Sequence, residues 1–381
     1  MSEYQYYEFQ AVDRPLTGKE MRELRSYSTR ARITPTSFVN DYAWGNFKGN
    51  ADAWMEKYFD AFLYLANWGT HVLKLGLPSR LLDSKTANEY CAGESAFLHE
   101  KGGKVILSFA SEDEEGGEWV EGEGLLSSLI SVRAELARGD LRALYLGWLL
   151  CAQNGELDDE DVEPPVPSGL GQLSASLESL AEFLRIGGDL LHVAAEASAS
   201  LENSGPKREE IKTWVAKLPS SEKDDVLASL IVDGEQGLIT ELLHRFIKER
   251  DCSEGRLDAP AAHRTVGELL LSAEKYADER RRIEAEKRAK EKARREREAA
   301  IARAKYLDEI AGHDPKLWAE VDTLIAAKQP KSYDQAVRLL VDLRDLAARA
   351  NGGDFRLRLD AIRQTHTRKP ALIERLKKAG L

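Results

Sequence analysis

Cysteine is scarce in this chain, which has Cys91, Cys151 and Cys252 among its 381 residues. No two of them have the Cys-x-x-Cys spacing of a zinc ligand pair, and they lie far apart in the sequence. We therefore expect neither a zinc site built on cysteines nor a disulfide framework. Cys151 lies in the apolar run LGWLLCA, which predicts a buried and unreactive thiol.

Long apolar runs are missing as well. No run approaches the roughly 20 residues that a membrane-spanning helix needs. The N-terminal sequence MSEYQYYEFQ lacks the basic segment and the apolar core of a signal peptide. We therefore expect a cytoplasmic protein without a membrane partner. Seven Trp and twelve Tyr indicate a folded chain, because disordered chains are poor in aromatic residues.

The glycine patterns of common catalytic and phosphate-binding motifs are absent. Ser108 in VILSFAS lacks the flanking glycines of a Gly-x-Ser-x-Gly elbow, and Gly45-Asn-Phe-Lys-Gly49 has the wrong order for a phosphate loop. His71 and His99 have a spacing that does not indicate a metal site. The acidic run 158–161 lacks the glycine and the final glutamate of an EF-hand. No metal and no cofactor are predicted.

The net charge of −11 hides a strong asymmetry along the chain. Residues 1–262 carry 26 Lys and Arg against 45 Asp and Glu, a net of −19, whereas residues 263–381 carry 28 against 20, a net of +8. A basic region that follows an acidic one has two interpretations. It contacts an acidic partner such as nucleic acid, or it folds onto its own body or onto a neighbouring copy.

The first 115 residues predict an α+β domain with a small sheet. Strands are predicted at 4–12, 33–42, 71–78 and, as a hairpin that turns at Gly102-Gly103, at 95–111. Thr17 and Glu20 form a capping-box pattern that starts a helix over 18–27. The apolar spacing over 51–68 predicts a second helix.

The rest of the chain is predicted to be mostly α-helical. Its predicted regions are a helical body (116–262), a long charged helix that is a spacer or a coiled coil (263–312), and a C-terminal helical module (313–381). The body contains the acidic, proline-rich segment 156–171, which is typical of a linker, and a weak point at Gly187-Gly188. No Gly or Pro lies between Gly267 and Gly312, and pairs of Glu with Lys or Arg four residues apart favour a solvated helix there.

Two regions of the sequence resemble known bacterial proteins. YYEFQAVDRPLT, ITPTSFVNDYAWGNFKG and LYLANWGT resemble an uncharacterised bacterial family to which we attach no activity. The last run, FRLRLDAIRQTHTRKPALIERLKKAGL, resembles the tail of some bacterial SWIM zinc-finger proteins and their relatives, which often occur in gene clusters with MoxR-type ATPases and von Willebrand A-domain proteins. The Cys-x-Cys and Cys-x-His ligands of SWIM are absent, so zinc and SWIM-type nucleic-acid binding do not carry over. The resemblance implies a member of a bacterial multi-protein system whose helical tail docks a protein partner, with an ATPase-containing assembly as a candidate.

The segment ITPTSFVNDYAWGNFKG is a candidate ligand edge. Asn40, Asp41 and Lys48 would supply polar contacts, while Tyr42 and Trp44 would stack on a ring. The alternative, which we favour, is a strand that continues into an ordered loop, where the aromatic residues pack and the polar ones hold the backbone.

Two basic segments, 280–305 and 363–378, are candidate surfaces for nucleic acid or a protein partner. The candidate residues are Arg280, Arg281, Arg282, Lys287, Arg288, Arg294 and Arg295 in the first segment, and Arg368, Lys369, Arg375, Lys377 and Lys378 in the second. The alternative for the first segment is a solvated spacer helix, because Glu residues are interleaved. For the second it is a helical cap whose Ile362, Leu372, Ile373 and Leu376 pack inward.

These observations lead to three hypotheses. The first is a non-enzymatic interaction or scaffold protein that docks partners through its helical C-terminal half. The second is a nucleic-acid-binding protein that uses 280–305 and 363–378. The third and weakest is an enzyme with a pocket in residues 1–115 where Asn40, Asp41, His71 and His99 converge.

Overall fold

The computed structural model describes residues 4–113, 121–201, 208–232, 264–350 and 354–381, together with residues 242, 245, 246 and 249. The chain forms two compact units, the first ending at Arg280 and the second beginning at Arg281. An antiparallel sheet is followed by a mostly helical body, a long helix and further C-terminal helices, which confirms the predicted fold class. None of the helices in these ranges is both long and apolar enough to cross a membrane.

The sheet of the first unit is antiparallel throughout. Its strands are β1 (Gln5–Gln10), β2 (Arg32–Thr34), β3 (Ser37–Tyr42), β4 (Ala61–Ala66), β5 (His71–Pro78), β6 (Ala96–Lys101) and β7 (Lys104–Ser111). They lie in the order β2-β3-β1-β4-β5-β7-β6. Four strands therefore separate β3 from β6.

Helices cover both faces of this sheet. The helices of the first unit are α1 (Gly18–Tyr27), α2 (Ala51–Lys57), α3 (Ser84–Asn88), α4 (Leu125–Leu129), α5 (Ser131–Ala137), α6 (Arg142–Gln153), α7 (Ala175–Phe183), α8 (Gly188–Glu196), α9 (Arg208–Lys217) and α10 (Ser220–Val232). On one face, Phe9 and Phe38 of the sheet pack against Trp54 of α2. On the other, Leu63 and Leu107 share a core with residues of α4 to α8. Side chains from the predicted regions 1–115 and 116–262 thus meet in one core.

Residues 61–66 form strand β4, so the predicted helix over 51–68 is wrong in its second half. Only Ala51–Lys57 is helical. β4 lies in the middle of the sheet, where Phe62 faces one core and Leu63 faces the other. A strand buried on both faces is apolar at every position, and its sequence lacks the alternation that identifies a half-buried strand.

Other predicted features are confirmed. The capping box of Thr17 and Glu20 starts α1. The β6–β7 hairpin turns at Gly102 and Gly103, which have φ values of 61° and 77° and so need glycine. The weak point at Gly187-Gly188 separates α7 from α8.

The second unit is entirely helical in its described residues. Its helices are the last part of α11 (Val266–Ile310), then α12 (Asp314–Ala326), α13 (Pro330–Ala350), α14 (Asp354–Thr365) and α15 (Pro370–Lys378). Val321, Leu340 and Leu372 lie in its core and are fully buried. Arg303 forms ion pairs with Asp342 and Asp345, which attach the end of α11 to α13.

Candidate functional site

The segment ITPTSFVNDYAWGNFKG forms β2, β3 and a loop that the sheet holds in place. Gln5 is buried, and its side-chain amide donates hydrogen bonds to the carbonyl of Gly45 at 3.0 Å and to Asn46 Oδ1 at 3.3 Å. Its carbonyl accepts one from the Tyr7 hydroxyl at 2.7 Å. Phe47 stacks on Tyr7 with 5.0 Å between the ring centroids. This geometry supports the interpretation as strand structure that continues into an ordered loop, but the single strand predicted over 33–42 is wrong, because a turn at Pro35-Thr36 divides it into the paired strands β2 and β3.

Three of the five candidate ligand residues, Asn40, Asp41 and Tyr42, lie on β3. Asn40 is buried, and its amide donates to Ser28 Oγ at 3.2 Å. Tyr42 packs edge-on against Tyr7 at 5.6 Å. Asp41 points to the opposite face of the sheet from its two neighbours, because side chains alternate along a strand.

The other two candidates lie in the loop and are exposed. The Trp44 side chain is 72% exposed, and the Arg30 guanidinium lies 5.8 Å from its ring. Lys48 is also exposed. The five candidate residues therefore do not converge on one pocket, and Trp44 is the one that offers an aromatic surface to a partner.

His71 is buried in the first unit, and both of its ring nitrogens have hydrogen-bond partners. Its Nδ1–H donates to the carbonyl of Phe183 at 2.9 Å, and its Nε2 faces the Arg185 guanidinium at 3.0 Å and accepts from it. Burial, reinforced by the charge of Arg185, lowers the pKa of His71. His99 lies on β6, which is separated from β5 by β7, so the two histidines do not share a site.

The acidic run 158–161 caps the start of α11, which the sequence did not reveal. The amide of Val266 donates to the carbonyl of Asp161 at 2.9 Å, and the amide of Gly267 donates to that of Asp159 at 3.0 Å. Helix N-termini leave such amides without partners inside the helix. The predicted linker therefore has a specific structural role.

A buried ionic network lies beside this cap. Glu163 forms an ion pair with Arg264, with a distance of 2.9 Å from Oε2 to the arginine Nε, and it accepts a hydrogen bond from the Tyr145 hydroxyl. Arg264 also donates to the carbonyl of Val193 at 3.0 Å. The network connects α6, the 156–171 segment and the start of α11.

The described residues bear on metal binding and on the state of two of the cysteines. In the described ranges, no three His, Cys, Asp or Glu side chains are grouped to hold a metal ion. Burial raises the pKa of both Cys91 and Cys151 to about 12, which keeps them protonated at neutral pH. Cys252 lies outside the described residues.

The middle of α11 is the most exposed part of the structure described. Over residues 281–300, every side chain is exposed except Glu291, which is half-buried. Ion pairs along the helix include Glu284 with Arg288 at 3.8 Å and Glu291 with Arg295 at 3.0 Å. This arrangement fits the predicted solvated helix.

The basic candidates on α11 do not share one environment. Arg280 forms an ion pair with Asp189 of α8 at 2.8 Å and belongs to the first unit. Arg281 and Arg282 follow it and are exposed. At 3.6 residues per turn, the twelve Lys and Arg of 280–305 point in all directions around the helix.

The C-terminal basic cluster is partly engaged within the second unit. Arg375 pairs with Asp334 at 2.6 Å, and Lys378 pairs with Glu374 at 2.9 Å. The Lys369 ammonium donates to the carbonyl of Ile325 at 3.1 Å. Arg368 and Lys377 have no ion-pair partner among the residues that the structure describes. The predicted inward packing of Ile362, Leu372 and Leu376 is confirmed, and Ile373 is partly buried.

An open groove of about 430 Å³ lies in the second unit and was missed by sequence reasoning. Trp318 and Phe355 line it with 5.9 Å between their rings, and the Arg358 guanidinium lies 5.4 Å from the Trp318 ring. Leu357 of α14, the helix that contributes Phe355 and Arg358 to this groove, is 73% exposed. The aromatic pair was the available signal, because residues 313–381 contain few other aromatic residues.

Comparisons with protein-family models, with curated proteins and with solved structures found no match. The geometry of the described residues is therefore the basis for a functional proposal.

Proposed function

We propose that this chain is a non-enzymatic interaction protein that docks protein partners through its helical C-terminal half. The observation that carries the proposal is the middle of α11, where residues 281–300 at the start of the second unit are exposed, although each of the two units has a buried core of its own. A helical segment whose side chains are exposed gains little from packing and is held by ion pairs worth about 0.3–0.5 kcal/mol each. Such a segment suits a connector whose surface remains open to partners.

Two further observations support docking over catalysis. Asn40 and His99 lie on strands separated by four others, and His71 faces the core opposite the one that Asn40 faces. The groove beside Trp318 and the exposed Leu357 provide aromatic and apolar surface, which is typical of the centre of a protein interface. The resemblance of the C-terminal run adds an ATPase-containing assembly in the bacterial cytoplasm as the proposed partner.

The experiment compares proteins that co-purify with tagged full-length chains. The test variant is Leu357→Ser with Arg356→Glu on the second unit, and the matched control is Val12→Ser with Lys19→Glu on the first. All four side chains are exposed, so both variants should fold like the wild type. We expect the same ATPase-containing set with wild type and control, and at least about a tenfold loss with the test variant. Recovery of identical proteins with all three chains would contradict docking at this surface.

Nucleic-acid binding is the second candidate, because residues 280–305 carry twelve basic and five acidic side chains. Phosphate binding of this kind predicts affinity that falls linearly with the logarithm of salt concentration. Labelled single- and double-stranded nucleic acid titrated with the full chain at several salt concentrations tests it. Absence of binding at low salt would remove this candidate.

A further inference from the structure

The middle of α11 carries a stripe of side chains that we call the basic stripe. It consists of Ile283, Lys287, Lys290, Arg294, Arg297 and Ile301. The spacing alternates between four and three residues, which keeps these side chains on one side of a helix. Although five Glu residues lie between 281 and 301, none falls within the stripe.

Another side of the same segment is neutralised by its own charges. There, Glu284, Arg288, Glu291, Arg295 and Glu298 alternate in sign at the same spacing. Glu284 contacts Arg288 at 3.8 Å, and Glu291 contacts Arg295 at 3.0 Å. Carboxylates therefore offset the cations on that side, whereas the basic stripe itself contains four cations and no carboxylate.

Within the basic stripe, two cations are already paired and two are not. Lys290 pairs with Glu286 at 2.5 Å, and Arg294 pairs with Glu291 at 2.9 Å. Lys287 and Arg297 form no ion pair with any described residue. The apolar ends face solvent too, since Ile283 is 41% exposed and Ile301 is 62% exposed.

We propose that the basic stripe binds an acidic amphipathic helix of a partner protein, an inference that rests on the proposed function. Alternating spacing of four and three residues is the pattern with which one helix packs along another. Carboxylates on the partner complement Lys287 and Arg297, and apolar side chains cover Ile283 and Ile301 at the two ends. The partner helix must therefore carry both carboxylates and apolar side chains on one face.

The same pattern argues against two other occupants. A second copy of α11 would place Lys and Arg against Lys and Arg, and like charges at a helix seam oppose pairing. A nucleic-acid backbone would satisfy the cations but offers no apolar cover for Ile283 and Ile301. No aromatic side chain lies between residues 277 and 305 to stack on a base.

The test uses the full-length chain and labelled synthetic helical peptides of about four heptads, which is long enough for a stable helix. The acidic peptide carries Glu opposite the four cations and Leu opposite the two isoleucines, and a control peptide has Gln for each Glu. Labelled duplex DNA is the third probe. Fluorescence anisotropy measures binding, and sedimentation equilibrium measures self-association.

Two variants remove equal charge from different sides of α11. The stripe variant changes Lys287, Lys290, Arg294 and Arg297 to Gln, and the matched variant changes Arg282, Arg288, Lys292 and Arg295 to Gln. Gln is a good helix former, so both variants should keep the helix, which circular dichroism verifies.

We expect the acidic peptide to bind wild type and matched variant within about threefold of each other, and the stripe variant at least about tenfold more weakly. Equal weakening in both variants would overturn the inference, since it would mean attraction by total charge. Stripe-dependent binding of DNA without peptide binding, stripe-dependent self-association, or absence of peptide binding at low salt would also overturn it. Because the co-purification test changes Leu357 and Arg356, failure of one proposal is distinguishable from failure of the other.

Discussion

The ion pair of Asp60 with Lys104 in the first unit and the ion pairs on the middle of α11 join the same kinds of charged group in opposite environments. The Asp60 side chain is 6% exposed and its partner Lys104 is 20% exposed, with 2.8 Å between the charged atoms. Glu286 and Lys290 on α11 are 63% and 75% exposed. Water solvates either member of the exposed pair when the other is removed, whereas a buried charge loses its compensation. The first kind of pair therefore fixes the fold, and the second leaves a surface available.

Removal of the Asp60 carboxylate tests the buried ion pair and should cause the largest loss of stability. Asp60 also accepts hydrogen bonds from the amides of Val12 at 2.7 Å and Asp13 at 2.9 Å. Asp60→Ala leaves the half-buried Lys104 ammonium without a carboxylate and two backbone amides without their acceptor, which should lower the free energy of unfolding by about 3–5 kcal/mol. Urea denaturation followed by fluorescence measures it. The matched control is Asp308→Ala, an exposed partner of Arg349, and an equal loss in both would contradict the comparison.

Loss of the Tyr145 hydroxyl from the Glu163 network should lower the free energy of unfolding by less than the loss of the Asp60 carboxylate does. Tyr145 is fully buried and donates to Glu163, which keeps its ion pair with Arg264. Tyr145→Phe should lower the free energy of unfolding by about 1–2 kcal/mol, because one buried acceptor site loses a donor. The same denaturation experiment checks it. An unchanged midpoint would mean that the hydroxyl contributes nothing to the network.

Histidine 71 should make the stability of the first unit depend on pH. Because burial and then Arg185 lower the pKa of His71, the neutral form is favoured in the folded state. Below the unfolded value of about 6.5, the unfolded chain binds a proton that the folded chain does not, so stability falls as pH falls. His71→Asn keeps a donor toward Phe183 but does not titrate. Unfolding free energies from about pH 8 to about pH 5 should fall less steeply in this variant, and parallel curves would exclude His71 as the cause.

Removal of an exposed ion pair on α11 should change the free energy of unfolding least. Glu286→Gln breaks the contact with Lys290 but leaves both side chains in water. We expect a change in unfolding free energy below about 0.5 kcal/mol and nearly unchanged helicity by circular dichroism. A loss comparable to that of Tyr145→Phe would show that the exposed pairs support the helix more strongly than this comparison implies.

Local patterns allowed part of this structure to be predicted from the sequence. The long helix follows from the absence of Gly and Pro and from charges four residues apart, and α1 follows from Thr17 and Glu20. β4 could not be predicted, because burial on both faces removes the alternation. Of the candidate sites, the sequence indicated the basic content of α11 but not which cations remain unpaired.

Long-range contacts account for most of what could not be predicted. The cap that Asp159 and Asp161 provide to α11 joins residues about a hundred positions apart, so no local sequence pattern predicts it. The pairing of Glu163 with Arg264 has the same character. The groove beside Trp318 depends on how three helices of the second unit pack.

The start of α11 also has a consequence for the order in which the first unit is assembled. Val266, Leu269 and Ala273 are buried in the same core as the sheet and the helices α4 to α8. A ribosome makes these three residues only after about seventy further residues have followed α8. Until these residues are made, the sheet and the helices α4 to α8 have one side of their core uncovered in the growing chain. Synthesis of residues 264–276 completes the unit, and a chain released before that point would expose the uncovered apolar surface to chaperones.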